Sequence, residues 1–346
     1  MTNATSPVLI RNADLKPLNT FGVAVHARYL AEIRTTEDLE YLRRSDVWHN
    51  HPKLILGGGS NMLFIRDFDG LILRCSIDGI RSEAVDQDTI QVTCGSGVVW
   101  HDLVEYCMQN DWGGIENLAL IPGRTGAAPV QNIGAYGVEL KDVFQQAEAI
   151  DINTGEQHQL DRNSCRFGYR DSIFKTPNGK NFFISSITLR LTRKNHHFHS
   201  EYGALQEYLK SNNISTLSVR TIGEAVMDIR RKKLPDPALT GNAGSFFKNP
   251  VISRDLLLAI QNEYPQIPFY TIDNQLVKVP AGWLIERAGW KGKREGRAGV
   301  HAHQALVIVN HGGATGEEIL ILSQHVCDDV QRLFGISLER EVQVIG

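Results

Sequence analysis

The stretch that most constrains this chain is Gly241-Asn242-Ala243-Gly244-Ser245-Phe246-Phe247-Lys248-Asn249-Pro250. Small residues precede one hydroxyl, and two aromatics and a cation follow it. Glycine admits positive φ and has no Cβ to hold a flat ring away, so this backbone can lie close beneath something planar. Alone, a Ser after a Gly is a turn residue. Here the run Arg230-Arg231-Lys232-Lys233-Leu234-Pro235-Asp236-Pro237 precedes it, and a terminal strand carrying Glu341 follows. A hydroxyl, a cation cluster and a carboxylate above a glycine-lined floor are the parts of a proton-transfer site.

The bulk numbers narrow the partners. A chain of 346 residues holds two or three domains, each with enough core to stand without staples. Apolar residues at 42% and charged residues at 22% describe an ordinary soluble globular protein. A formal charge of −3 gives no reason to expect nucleic acid or an acidic membrane surface. Cys75, Cys94, Cys107, Cys165 and Cys327 are scattered and form no C-x-x-C pair, so buried free thiols in a reducing cytosol are expected. His196-His197-x-His199 lacks a carboxylate or thiol at ligand spacing, and no metal is expected. Residues 1–11 are polar without an apolar h-region, and no stretch of 18 uncharged apolar residues occurs. A cytoplasmic monomer without signal peptide or membrane span is the expectation.

Along the chain, Thr35 or Thr36 caps a helix running to about Arg44, with Leu39 and Leu42 inside. A buried strand over 53–56 ends on Gly57, Gly58, Gly59, Ser60 and Asn61. Apolar flanks on both sides make this an ordered turn, and a glycine turn between strands is a nest that binds phosphate. It is neither a Walker loop nor a dinucleotide fingerprint. Short strands follow near 70–74 and 89–93, then a helix over 98–109 with Val99, Leu103, Val104 and Cys107 on one face. The second glycine-rich region, 121–137, interleaves Ile121, Val130, Ile133 and Tyr136 among small residues. Disordered linkers lack that punctuation, so this is an ordered loop folded against something flat and polar.

Residues 153–156 turn one strand into the next stretch, and 181–191 form a long alternating strand. Between them, Tyr169-Arg170-Asp171 reads either as a surface ion pair or as a fixed planar cation for a carboxylate ligand. Residues 194–215 form a boundary or insertion carrying Tyr202. Thr221-x-x-Glu224 opens a helix as a capping box, and its basic end answers the helix dipole. A short helix follows over 281–290 and a buried strand over 305–309. Thr315-x-x-Glu318 caps a long helix with Ile319, Leu322, Val326, Val330 and Leu333 at helical spacing, closed by Gly335. A strand over 338–345 puts Glu339, Glu341 and Gln343 on one face. Helices and strands do not alternate strictly, so the class is α+β. Domains are expected at 1–77, 78–217 and 218–346.

Five blocks in order, Asn19-Thr20-Phe21-Gly22, 57–61, 121–137, 167–175 and 241–250, with Glu341 beyond them, resemble the bacterial UDP-N-acetylenolpyruvoylglucosamine reductases (UDP-N-acetylmuramate dehydrogenases), in the form with a tyrosine-bearing loop. The likeness spans nearly the whole chain. It implies a vanillyl-alcohol-oxidase (PCMH-type) FAD-binding fold in two N-terminal subdomains and a C-terminal α+β substrate domain. It implies non-covalent FAD held by Gly57, Gly58, Gly59, Ser60 and Asn61, and by Pro122, Gly123, Gly126, Gln131, Asn132, Gly134, Ala135, Tyr136 and Gly137. NADPH is the implied hydride donor, and UDP-N-acetylglucosamine enolpyruvate the implied substrate. Ser245 is the implied proton donor, with Arg170 and Glu341 stabilising the enol-like intermediate. Tyr169, Tyr202, Lys233, Asn249 and Gln304 are implied substrate contacts. Two places depart from the family pattern: Arg124-Thr125 stands where Ser or Thr and then Val are usual, and Gln343 where Arg or Lys is usual. Two other readings remain open on the residues alone: a related flavin oxidase of an alcohol or sugar acid, and a nucleotide-binding module without chemistry.

Overall fold

A computed structural model describes residues 7–346; residues 1–6, part of the polar lead expected to lack a signal peptide, lie outside the described residues. Contacts divide the chain into two units. The larger runs up to Ala13 and takes Ala27–Gly58 and Asp69–Lys232; the smaller takes Asp14–His26, Gly59–Phe68 and Lys233–Gly346.

In the larger unit, one sheet runs in the order Leu9–Asp14, His26–Ile33, Phe68–Cys75, Lys53–Leu56. The last two strands are parallel, so the turn at residue 57 leaves from the carboxyl end of an edge strand, which is half-buried except at Leu56 rather than buried throughout as expected. The helix Thr36–Arg43 is opened by Thr35: its hydroxyl accepts from the Asp38 N–H, and the Asp38 carboxylate accepts from the Thr35 N–H. Leu39 and Leu42 then close on Ala31, Ile33, Leu71 and Leu73.

The second sheet is antiparallel, in the order Gln157–Asp161, Phe144–Asp151, Phe182–Thr192, Thr89–Gly95, Ile80–Ala84. Phe182–Thr192 is central and contributes to both cores: Phe183 joins the first sheet's core, while Ile187, Leu189 and Leu191 join the second. Three helices, Trp100–Gln109, Gly203–Ser211 and Val219–Lys233, bury apolar faces in that second core.

Several details differ from expectation. Val99 is the cap of its helix and 42% exposed, because the buried face begins one residue later at Trp100. The helix Gly203–Ser211 lies inside the stretch expected to be an insertion, with Leu205 and Leu209 buried. Thr221 and Glu224 do not open the next helix. It begins at Val219, where the Ser218 hydroxyl accepts from the Thr221 N–H and the Thr221 hydroxyl accepts from the Ser218 N–H. That helix falls beyond residue 218 in the sequence, yet Ile222, Ala225, Val226 and Ile229 pack into the larger unit's core.

In the smaller unit, Gly241–Ser245, Val307–Asn310, Ala298–Val300 and Arg294–Glu295 form an antiparallel sheet. The helix Gly316–Phe334 carries the expected capping box of Thr315 and Glu318 and ends on left-handed Gly335. Ile319, Leu322, Val326 and Val330 are buried; Leu333 is 37% exposed and lies off that face. The terminal strand is regular only at Gln343–Ile345, pairing parallel with Met62–Phe64. Glu339 and Glu341 therefore sit on a separate extended segment, whose backbone bonds to residues 246 and 248.

The Asn19-Thr20-Phe21-Gly22 block acquires a physical role. Buried Asn19 donates to the Leu15 and Val23 carbonyls and accepts from the Val23 N–H, fixing a tight loop. The Thr20 carbonyl accepts from the Asn242 N–H, and the Phe21 carbonyl from the Asn310 side chain. The loop thus braces the strand that leads into Ser245. On its other side it leaves no room at Gly59, whose φ is +63° and whose Cβ, if present, would lie 1.9 Å from the Leu18 carbonyl oxygen.

Candidate active site

In the smaller unit, Ser245 owes its placement to a bulge. Asn242 pairs with Val309 but Ser245 with Val307, so two residues, Ala243 and Gly244, face one. Such an insertion bends the strand and re-aims the next side chain. Gly244 takes φ +68°, and its N–H donates to the Asn242 side chain at 2.9 Å. Behind Ser245, Phe246 and Phe247 are buried and stack in tilted contact at 5.2 Å.

Backbone bonds gather the other expected residues around this point. The Phe246 carbonyl accepts from the Glu341 N–H at 2.8 Å; the Glu341 carbonyl accepts from the Asn61 amide at 3.1 Å; the Asn61 carbonyl accepts from the Gln343 N–H at 3.0 Å. Phe246 N–H donates to Leu306, and the Gln304 carbonyl closes the same turn by accepting from Val307. Ser245, Glu341, Asn61 and Gln304 are therefore brought together. The Asn249 side chain accepts from the Ala281 N–H, the first of the helix Ala281–Arg287, whose Pro280 cap offers no acceptor. Lys248 is engaged by Glu339. Lys233 ends the preceding helix and is exposed, and Asn242 holds the path beyond it by donating to the Pro235 carbonyl. Gly59 and Ser60 belong to this unit as well.

The larger unit holds the remaining candidates. Gly57 and Gly58 press against the second glycine region: a Cβ on Gly58 would lie 2.8 Å from Gly123 Cα, and one on Gly57 3.0 Å from Ala127. The segment Thr125–Gln131 is a 3-10 turn that follows Pro122 and Gly123, with Gly126 fitted against Ser96. Arg124 donates to the Gly97 carbonyl and Thr125 to the Gly95 carbonyl, so the departure at these two residues serves the protein's own backbone. Gln131 closes that turn. Asn132 is buried, with both amide donors spent on Glu139 and Gly168 and its oxygen accepting from Lys141, so its side chain is a structural pin.

Beyond Asn132 the loop becomes a small hairpin, Gly134–Ala135 with Val138–Glu139, turned by Tyr136 and Gly137, both at positive φ. A second two-residue turn puts Tyr169 and Arg170 between the paired Gly168 and Asp171, with Arg170 at φ +52°. Arg170 donates to the Gly134 carbonyl at 2.7 Å, and a Cβ on Gly134 would lie 3.2 Å from its guanidinium. Tyr202 caps the helix Gly203–Ser211 and meets the Tyr136 ring edge-on at 5.5 Å. Tyr136, Tyr169, Arg170 and Tyr202 thus share one surface of this unit.

In the sequence, Asn117 goes unmarked and Arg230 counts only as part of the basic run that precedes Ser245. Asn117 is buried and donates to the carbonyls of Tyr136 and His199, tying the tyrosine turn to the segment that leads to Tyr202. Arg230 donates to the Leu120 carbonyl with its Nε buried. Its signal was in the sequence: Ile222, Val226 and Arg230 stand four apart, on the helix's buried face.

Titrations in these walls follow burial. The Tyr136 hydroxyl is pushed above the usual range by desolvation. Cys75 and Cys94 are raised to about 12 by the same cause. Glu116, buried beneath the turn, is raised by burial despite the Gly114 N–H that donates to it. Among the described residues, no group of three or more His, Cys, Asp or Glu side chains could hold a metal ion, and no helix is long and apolar enough to cross a membrane.

Residues 27–161 match the family model of an FAD binding domain, which makes the protein a flavin-dependent oxidoreductase of α+β fold. Residues 236–345 match the C-terminal domain model of UDP-N-acetylenolpyruvoylglucosamine reductase. The chain is 48% identical to the UDP-N-acetylenolpyruvoylglucosamine reductase of Amoebophilus asiaticus, over 97% of this chain and 99% of that one. It is 44% identical to the protein of that name from Pseudomonas aeruginosa, over 96% and 98%. The solved reductase of Thermus caldophilus has the same fold, with a TM-score of 0.67 and 23% identity over 98% and 99% of the two chains. The chain belongs to the UDP-N-acetylenolpyruvoylglucosamine reductase family. The oxidase and the chemically inert module both give way to this assignment.

The walls fit FAD on their own terms. The two glycine turns meet without side chains between them, and Asn117 Oδ1 and Arg230 Nε are buried polar atoms without a protein hydrogen bond. Such atoms are costly unless a polar ligand or water answers them.

Proposed function

We propose that this protein uses FAD, reduced by NADPH, to convert UDP-N-acetylglucosamine enolpyruvate to UDP-N-acetylmuramate in the cytoplasm, as a monomer serving peptidoglycan precursor synthesis. FAD is bound non-covalently by the 57–61 and 121–137 turns within residues 1–77 and 78–217, and the C-terminal domain takes the sugar nucleotide. The cofactor supplies the hydride that reaches the C3 methylene of the enolpyruvyl group. The protein's residues answer the charge that this leaves. Negative charge grows at C2 and on the adjoining carboxylate, and a preorganised cation stabilises it. Arg170 has that role; its guanidinium is held in place by Gly134, so little reorganisation is needed. Glu341 supports the same intermediate, and Ser245 delivers the proton to C2.

The observation that carries this reading is the bulge at Ala243 and Gly244. It aims one hydroxyl beside the segment that carries Glu341, and a strand without it would need no left-handed Gly244. Tyr169, Tyr202, Lys233, Asn249 and Gln304 hold the sugar nucleotide, Lys233 as a point charge for the diphosphate. The test is spectroscopic. Anaerobic NADPH should bleach the flavin band of the purified protein, and UDP-N-acetylglucosamine enolpyruvate should restore it in stoichiometric amount. A band that NADPH bleaches but this substrate leaves bleached would refute the reading.

A further inference from the structure

Arg230 is an unusual buried cation. It leaves the helix Val219–Lys233 on the face that also carries Ile222 and Val226, and it reaches the turn entering the second glycine region, where one N–H donates to the Leu120 carbonyl at 3.2 Å. Its Nε is buried without a partner. The charged neighbours acting on it are the Tyr136 hydroxyl and a second cation, Arg170; no carboxylate is among them. Burial draws its proton affinity below arginine's ordinary value, and Arg170 adds to that. A guanidinium placed this way costs the fold free energy, since a buried charge is normally answered by a counter-ion. A helix residue there would pack more favourably as Met or Leu. The cost is recovered when an anion arrives.

We propose that Arg230 is a cofactor-facing residue, the cation that stabilises the negative charge gained by the FAD ring system on reduction. This rests on the assignment of the 121–137 turn to FAD. Three observations favour the cofactor over the sugar nucleotide. Arg230, Leu120 and Tyr136 all belong to the larger unit, which holds the FAD binding domain. Arg230's side chain bonds to Leu120, the residue just before this turn. Arg170, anchored on the Gly134 carbonyl, is the planar cation proposed above for the substrate's carboxylate. Charge placed beside a bound redox group shifts its potential, because it acts on one oxidation state more than the other.

The test replaces Arg230 with Met, of similar reach, and with Lys. Because no carboxylate is left behind, Arg230→Met should fold with an undiminished melting temperature and purify yellow. Its affinity for reduced relative to oxidised FAD should fall about tenfold or more, which for a two-electron couple is a potential lower by about 30 mV. Sulfite, which adds to oxidised flavins to give an anionic adduct, should bind at least tenfold more weakly, and Arg230→Lys should recover part of both effects. An Arg230→Met protein that retains FAD with the parent's potential and sulfite affinity overturns the proposal. So does one that fails to fold, which would make Arg230 a structural tie to Leu120. A parent protein that purifies without flavin would instead overturn the FAD assignment itself, before any variant is compared.

Discussion

Gly59 and Gly244 are both left-handed, at φ +63° and +68°, and differ in one respect that can be measured. At Gly244 an added Cβ meets nothing within 4 Å. Gly244→Ala should therefore cost only the left-handed penalty of an L-residue, roughly 1–2 kcal/mol. At Gly59 the Cβ would lie 1.9 Å from the Leu18 oxygen, 2.9 Å from its carbon and 3.0 Å from Asn19 Cα, all backbone atoms that cannot rotate away. To the same penalty are added about 1–3 kcal/mol of overpacking and about 1 kcal/mol for the bond from the Thr20 N–H to the Gly59 carbonyl. Gly59→Ala should thus cost about 3–6 kcal/mol in all. At about 2–4 °C per kcal/mol for a protein of this size, the melting temperature should fall about 2–8 °C for Gly244→Ala and about 6–24 °C for Gly59→Ala. Differential scanning fluorimetry with saturating FAD measures both. Equal losses in the two variants would show that the loop at 19–22 does not press on Gly59, and would remove the account given for that motif.

Three further outcomes follow from the site. Acid precipitation should release the flavin into the supernatant, since no covalent link is expected; colour held in the pellet would contradict this. Lys233→Ala should weaken sugar-nucleotide binding by about 10–100-fold, the worth of a charged hydrogen bond, with flavin content unchanged; a colourless variant would show that the lysine serves the cofactor. Cys75 and Cys94, with thiols raised to about 12, should stay silent to a thiol reagent at pH 8 in the native protein, where roughly one group in 10⁴ is thiolate, and react once urea exposes them. Fast reaction in the folded state would refute their burial.

What could be read from the sequence was local. Thr315 and Glu318 announce a helix because a capping box is complete within four residues, and Gly335 closes it for equally local reasons. The Ser245 floor was legible because only small residues permit the geometry found there. The helix Gly203–Ser211 was missed because Leu205 and Leu209 are its only buried apolar pair in a polar stretch. The hairpin at 134–139 was missed because its turn puts a tyrosine at positive φ, where Asn, Asp or Gly would be the signal. The grouping of residues into units was illegible for another reason. Phe21 is held by Asn310, and the helix Val219–Lys233 fits Gly223 against Met108 of a helix more than a hundred residues earlier; neither partnership leaves a trace in either segment alone. Asn117 and Asn132 spend amide donors on the carbonyls of Tyr136, His199 and Gly168, all distant in sequence, so their importance is visible only once the chain is folded.

The central claim is that Ser245 supplies the proton that completes reduction of the enolpyruvyl group, and stopped-flow absorbance of Ser245→Ala tests it most directly. Reduction of the flavin by NADPH needs no proton from this hydroxyl and should proceed at the parent rate. Reoxidation by UDP-N-acetylglucosamine enolpyruvate should slow by roughly 10²–10⁴-fold, the usual contribution of a positioned acid. Reoxidation at the parent rate would make Ser245 a turn residue and contradict the mechanism.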